Sequence, residues 1–178
     1  CAELYEGGIG DPTRAAELYE LAYVAVVAQE LPAAEKLKLL ERVERLSRAV
    51  GDPPKLAMTL KRRADLLDPQ LARQQLFEAA TIEMHGLQDY GAAIATLKRL
   101  LELSPNDIAA LRALGEACER QQRWSDLAET LERELAALGT TDPARSLQAR
   151  FKLGVVLDTH LELADEALVQ FQAILDVK

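Results

Sequence analysis

Apolar residues recur three and four positions apart along nearly the whole chain, a spacing that lines one face of a helix. Short breaks rich in Gly, Pro, Asn and Asp interrupt them. The clearest stretch is 107–138. Leu111, Leu114, Gly115 and Cys118 share one face of a first helix, and Leu127, Leu131 and Leu135 one face of a second. Gln121-Gln122-Arg123 is so short a connection that the two helices must lie antiparallel and in contact. Gly115 is expected to let their backbones approach closely.

The same punctuated pattern continues on both sides. Ala2 to Tyr5 reads as the end of a helix and Gly7 to Gly10 as a break, after which Asp11 is placed to cap and Pro12 to open the next helix. That helix carries Ala15, Tyr19, Ala22, Val24, Val26 and Val27 and is expected to stop around Glu30-Leu31-Pro32. Another runs from about Ala33 to Val50, with Leu37, Leu40, Val43 and Leu46 on one face. Stop-and-cap signals follow at Gly51-Asp52-Pro53-Pro54, Asp68-Pro69, Ser104 to Asp107 and Gly139 to Pro143. Residues 55–66 align without a gap on 126–137, setting Leu56 on Leu127, Thr59 on Thr130 and Leu60 on Leu131.

Recurring helix–turn–helix units of this kind resemble the tetratricopeptide repeat, whose pattern is W-x2-L-G-x2-Y, A-x3-F and P over about 34 residues. Here it reads Leu111-x2-Leu114-Gly115-x2-Cys118 with Leu127-x3-Leu131, and Leu153-Gly154-x2-Leu157 with Ala167-x3-Phe171. Ala93, Leu97 and Pro105 fit its second half, and Ala15-x3-Tyr19 its aromatic pairing. Trp124 stands where the family places an aromatic wedge between helices. The second-helix anchors Ala15, Leu56, Ala93, Leu127 and Ala167 are spaced by 41, 37, 34 and 40 residues, so the repeats are longer than the family's. Departures include Leu111 and Arg150 at the tryptophan position and Ala80 at a glycine position.

The resemblance implies an all-α, right-handed superhelical solenoid of antiparallel helix pairs. It covers a single helical-repeat domain over residues 1–178, with units at about 1–31, 32–68, 69–106, 107–140 and 141–178. The chain reads as a fragment of a longer array, its first unit incomplete.

Composition narrows the chemistry. The 178 residues are 49% hydrophobic and 28% charged but only 4% aromatic, a balance that favours helix and supplies a continuous core. A net charge of −8 disfavours nucleic acid and anionic membrane surfaces. The basic run Lys61-Arg62-Arg63 is read as a solvated helix face. Cys118 is read as a small core residue, while Cys1 marks an excision or processing boundary more readily than a lipid anchor. No apolar run is long enough to span a membrane. The lack of targeting and disulfide signals favours a cytoplasmic setting, with the compartment itself unread. His85 and His160 are the only histidines, and Glu83 with His85 point apart on a helix. Neither they nor any motif indicates an enzyme, a metal or a cofactor.

The function implied by the resemblance is a non-catalytic protein-interaction scaffold whose concave groove takes a peptide or partner helix. Alignment to the family puts Phe77, Thr81, Met84, Arg112, Glu116, Glu119, Lys152, Val155 and Asp158 in that groove. Some family members clamp carboxyl termini with lysines and asparagines there; Glu116 would repel a carboxylate. The alternative is a spacer or self-association module joining copies through apolar repeat ends.

Overall fold

The computed structural model describes residues 11–28 and 32–176, which form helices and the turns between them, with no strand among the described residues. The expectations at Cys1 to Gly10 and at Glu30-Leu31 lie outside these residues. In chain order the helices are α1 (Pro12–Ala28), α2 (Ala33–Val50), α3 (Pro53–Ala64), α4 (Pro69–Thr81), α5 (Tyr90–Leu103), α6 (Ile108–Arg120), α7 (Trp124–Leu138), α8 (Pro143–Thr159) and α9 (Ala164–Leu175).

Aspartates set the helix starts. Asp11, Asp52 and Asp142 accept hydrogen bonds from the backbone N–H groups of Arg14, Lys55 and Arg145 at 2.9, 3.0 and 3.1 Å. Asp68 accepts from Gln70 and Leu71, and Asp107 from Ala110. After four of these five aspartates stands a proline, whose missing N–H removes one of the donors a helix start leaves unpaired. At the other end of α2, Gly51 takes the left-handed conformation at φ 72° and its N–H returns to the Ser47 carbonyl.

The helices form two compact bodies, one through Asp89 and one from Tyr90. In the first, α1 packs on α2, α2 on α3 and α3 on α4. Ala15, Ala16 and Tyr19 meet Val43 and Leu46, while Leu56, Ala57 and Leu60 meet Ala79 and Ile82. After α4 the chain makes one π-helical turn, Ile82–Gly86, closed by the Leu87 N–H donating to the Ile82 carbonyl at 3.0 Å. This turn buries Glu83 and Met84 and leaves His85 exposed, so Glu83 and His85 do point apart.

The basic run of α3 is not a solvated face. Lys61 Nζ lies 2.5 Å from Glu83, Arg62 bonds Glu20 at 3.1 Å and stacks over Tyr23, and Arg63 bonds Glu44. These cations tie α3 to α1, α2 and the π turn. Glu83 is only 2% exposed, and a buried carboxylate is tolerable when a cation and hydrogen bonds replace its water.

In the second body α5 packs on α6, α6 on α7, α7 on α8 and α8 on α9. Leu97, Leu100, Leu111, Leu114, Leu127, Leu138 and Leu153 are fully buried. The internal alignment holds at the level of single bonds: the Thr59 and Thr130 hydroxyls, both buried, donate to the carbonyls four residues back, of Lys55 and Asp126. Cys118 is buried in the core, and burial, with Asp126 adding, pushes its thiol pKa up. Trp124 reaches beyond its own helix pair. Its ring stacks on His160, just past the end of α8, at 3.7 Å between centroids.

The glycine demanded by close packing is Gly154 rather than Gly115. A Cβ at Gly154 would sit 2.6 Å from the Phe171 ring, whereas one at Gly115 would make ordinary contact with Leu127 at 3.5 Å. Gly154→Ala is therefore expected to cost about 1–3 kcal/mol as an overpacking change. Gly115→Ala should be neutral or add up to about 1 kcal/mol from helix propensity. Urea unfolding of the two variants checks the pair, and equal losses would refute the assignment.

Candidate functional site

The second body holds a cleft of about 450 Å³ between α6, α7 and α8. Arg112, Ala113, Glu116 and Glu119 of α6 form one wall, and Arg145, Gln148, Ala149 and Lys152 of α8 the other. Leu131 and Glu134 of α7 lie between them. The caps at Asp107 and Asp142 fix where α6 and α8 start, and hence which residues face the opening. Its volume is within the roughly 300–1,000 Å³ usual for ligand-binding clefts.

The walls carry three cations and two anions, most of them already engaged. Lys152 Nζ reaches Glu119 across the opening at 2.8 Å, and Arg145 pairs with Asp142 at 3.1 Å. Glu134 is only 8% exposed, and its nearest cation is Arg112, at 3.9 Å through Nε. Burial raises the Glu134 pKa, and Arg112, Lys152 and Arg145 pull it back only in part. Glu116 is exposed and forms no ion pair among the described residues.

Of the residues that alignment put in a groove, Arg112, Glu116, Glu119 and Lys152 come together here. Val155 and Asp158 lie further along α8, half-buried and exposed, outside the cleft lining. Phe77, Thr81 and Met84 belong to the first body. Phe77 is half-buried, the exposed Thr81 donates its hydroxyl to the Phe77 carbonyl at 2.8 Å, and Met84, 2% exposed, is core rather than surface. Met84 fails as a groove residue because the π turn shifts it off the face that α-helical periodicity assigns it.

Sequence reasoning did not place Ala113, Gly115, Leu131, Glu134, Arg145, Gln148 or Ala149 in the cleft. A signal for Glu134 was present: the buried face of α7 runs Leu127, Leu131, Glu134, Leu138, with Leu135 only half-buried. A glutamate at a core spacing is the anomaly to look for. Among the described residues no group of three or more potential metal ligands occurs, and no helix is long and apolar enough to cross a membrane.

Comparison with known proteins places this geometry. Residues 110–145 match the model of the tetratricopeptide repeat family. A crystal structure of MamA protein is similar over 98% of this chain and 86% of its own, at 18% identity and a TM-score of 0.54. Residues 41 to the end of MamA from Desulfovibrio magneticus RS-1 match over 91% of this chain and 94% of that one, at 13% identity and a TM-score of 0.50. TPR-like repeats assigned to a kinesin light chain of Podosopora anserina match over 98% and 91%, at 19% identity and 0.50. No curated protein matches the sequence significantly. At these identities the similarity establishes a shared fold.

Burial penalises the ionised form of Glu134 in the folded chain. The penalty is absent at low pH, where folded and unfolded states both hold the proton, and complete above the raised folded pKa. Glu134→Gln is therefore expected to raise the melting temperature at pH 7, with the gain shrinking as pH falls through the raised folded pKa and gone below the ordinary glutamate value of about 4.3. Melting curves across that range check it. A gain independent of pH, or a loss at pH 7, would show that the Arg112 contact outweighs the burial.

Proposed function

We propose, from the premise that this chain has the tetratricopeptide-repeat fold and carries a repeat of that family at 110–145, that it is a non-catalytic protein-interaction scaffold. The α6–α7–α8 cleft is its peptide site. The observation that carries this reading is that the walls come from α6 and α8 with α7 between them, an open trough with polar side chains on both walls and Leu131 and Glu134 between them. Such a trough admits an extended segment or one face of a helix from a partner. Its polar groups are held by helices rather than loops, so their spacing is set before a partner arrives.

The experiment is a display selection of short peptides against the chain, followed by affinity measurement on an Ala113→Trp variant. Ala113 is half-buried on the α6 wall, so the indole fills the trough while its backbone stays helical. Selected peptides are expected to lose about tenfold or more in affinity, the equivalent of some 1.4 kcal/mol, with circular dichroism unchanged. Equal binding by the variant would remove the cleft as the site.

One further observation favours self-association as a second reading. α9 leaves Leu168, Val169 and Leu175 exposed at 54%, 58% and 78%, and Phe151 of α8 is exposed as well. Sedimentation velocity over a concentration series is expected to show dimers that Leu168→Glu with Val169→Glu abolishes; a monomer at every concentration would end this reading.

A further inference from the structure

The trough contains a carboxylate that the fold pairs only loosely. The side chain of Glu134, in the lining of the trough, is 10% exposed, and among the described residues no donor hydrogen-bonds to its carboxylate. The Arg112 Nε, at 3.9 Å, is beyond hydrogen-bond length. A carboxylate so largely withdrawn from water and held only by a distant cation gains from a ligand cation that pairs with it directly. Glu116, on the α6 wall one helical turn from Arg112, is a second carboxylate without a partner among the described residues. The other cations of the trough are engaged, Lys152 by Glu119 and Arg145 by Asp142.

We infer that the occupant of this cleft is a peptide segment presenting an arginine, whose guanidinium engages Glu134 at the base and Glu116 on the wall. The inference rests on the cleft being the peptide site proposed above. Charge complementarity selects this occupant, because two carboxylates lacking hydrogen bonds face one loosely held cation. A guanidinium offers five N–H donors in a rigid plane and sheds water more readily than an ammonium, so it suits two acceptors, one of them buried. A lysine brings a compact, strongly hydrated charge, and an acidic side chain or a free carboxyl terminus would face both glutamates. Arg112 does not block entry. Its side chain is 57% exposed, held by no hydrogen bond among the described residues, and can turn to solvent as the ligand's cation takes its place beside Glu134.

The test uses synthetic peptide pools randomised except for a fixed central arginine, lysine, glutamine or glutamate, with binding read by fluorescence anisotropy. The arginine pool is expected to bind about tenfold more tightly than the glutamine pool, the size of one charge-assisted hydrogen bond to a buried group. Lysine should fall between them. Glu134→Gln and Glu116→Gln should each erase most of that preference without weakening the glutamine pool. Glu132→Gln, an equal charge change at an exposed position outside the cleft lining, should leave the preference intact, which separates the site from general attraction to an acidic chain. Arg112→Ala should strengthen arginine binding.

Equal affinity for the arginine and glutamine pools, with both still lost in Ala113→Trp, would overturn the arginine assignment and leave the peptide site standing. An arginine preference reduced by Glu132→Gln as much as by Glu134→Gln would overturn it too. Absence of any Ala113→Trp-sensitive binding would overturn both.

Discussion

An amphipathic helix of 12 to 18 residues, the range found here, cannot hide its apolar stripe alone, and in each body this chain hides it against the helices before and after in sequence. Most of the structure depends on that constraint. Contacts stay local, so each turn must deliver the next helix at the right place and direction. The aspartate caps and the prolines after them perform that delivery. An aspartate that fixes the first turn of α6 or α8 also fixes, several turns later, which side chains face the trough.

Charge enters as the second level of order. In the first body, acidic and basic side chains are matched between helices: Lys61 with Glu83, Arg62 with Glu20, Arg63 with Glu44 and Arg48 with Glu78. An exposed pair such as Arg48–Glu78 contributes little, since solvent screens it, whereas Arg62–Glu20 and Arg63–Glu44 are partly buried. The Lys61–Glu83 pair differs because its carboxylate is out of water. At the trough in the second body the matching is incomplete, and Glu134 is buried without an equivalent partner. The two buried glutamates thus mark the difference between a group the fold satisfies itself and one it leaves open.

Much of this was legible in the chain because its signals are local. Helix starts at Asp11, Asp52, Asp68 and Asp142 follow from a residue and its neighbour, and the spacing of Leu111, Leu114 and Cys118 gives the buried face directly. The repetition of Thr59 at Thr130 reports an equivalent position with the same back-bond. Four of the eleven residues lining the trough were legible too, since Arg112, Glu116, Glu119 and Lys152 lie on exposed or half-exposed faces of regular α-helix. Met84 was misplaced because a single π turn breaks the period that put it on the surface.

The sequence by itself determined the helices, their ends, the antiparallel pairing and the inward faces, because each depends on dihedral preference, a capping bond or a 3.6-residue period within a few positions. Only the tertiary structure decided which glycine is needed for close packing, that Trp124 stacks on His160, and that the basic run of α3 is tied to its neighbours. Only it could show Glu134 buried beside the loosely held Arg112. These outcomes turn on distances between side chains far apart in sequence, which are set by how the helices come to rest on one another and leave no periodic trace along the chain.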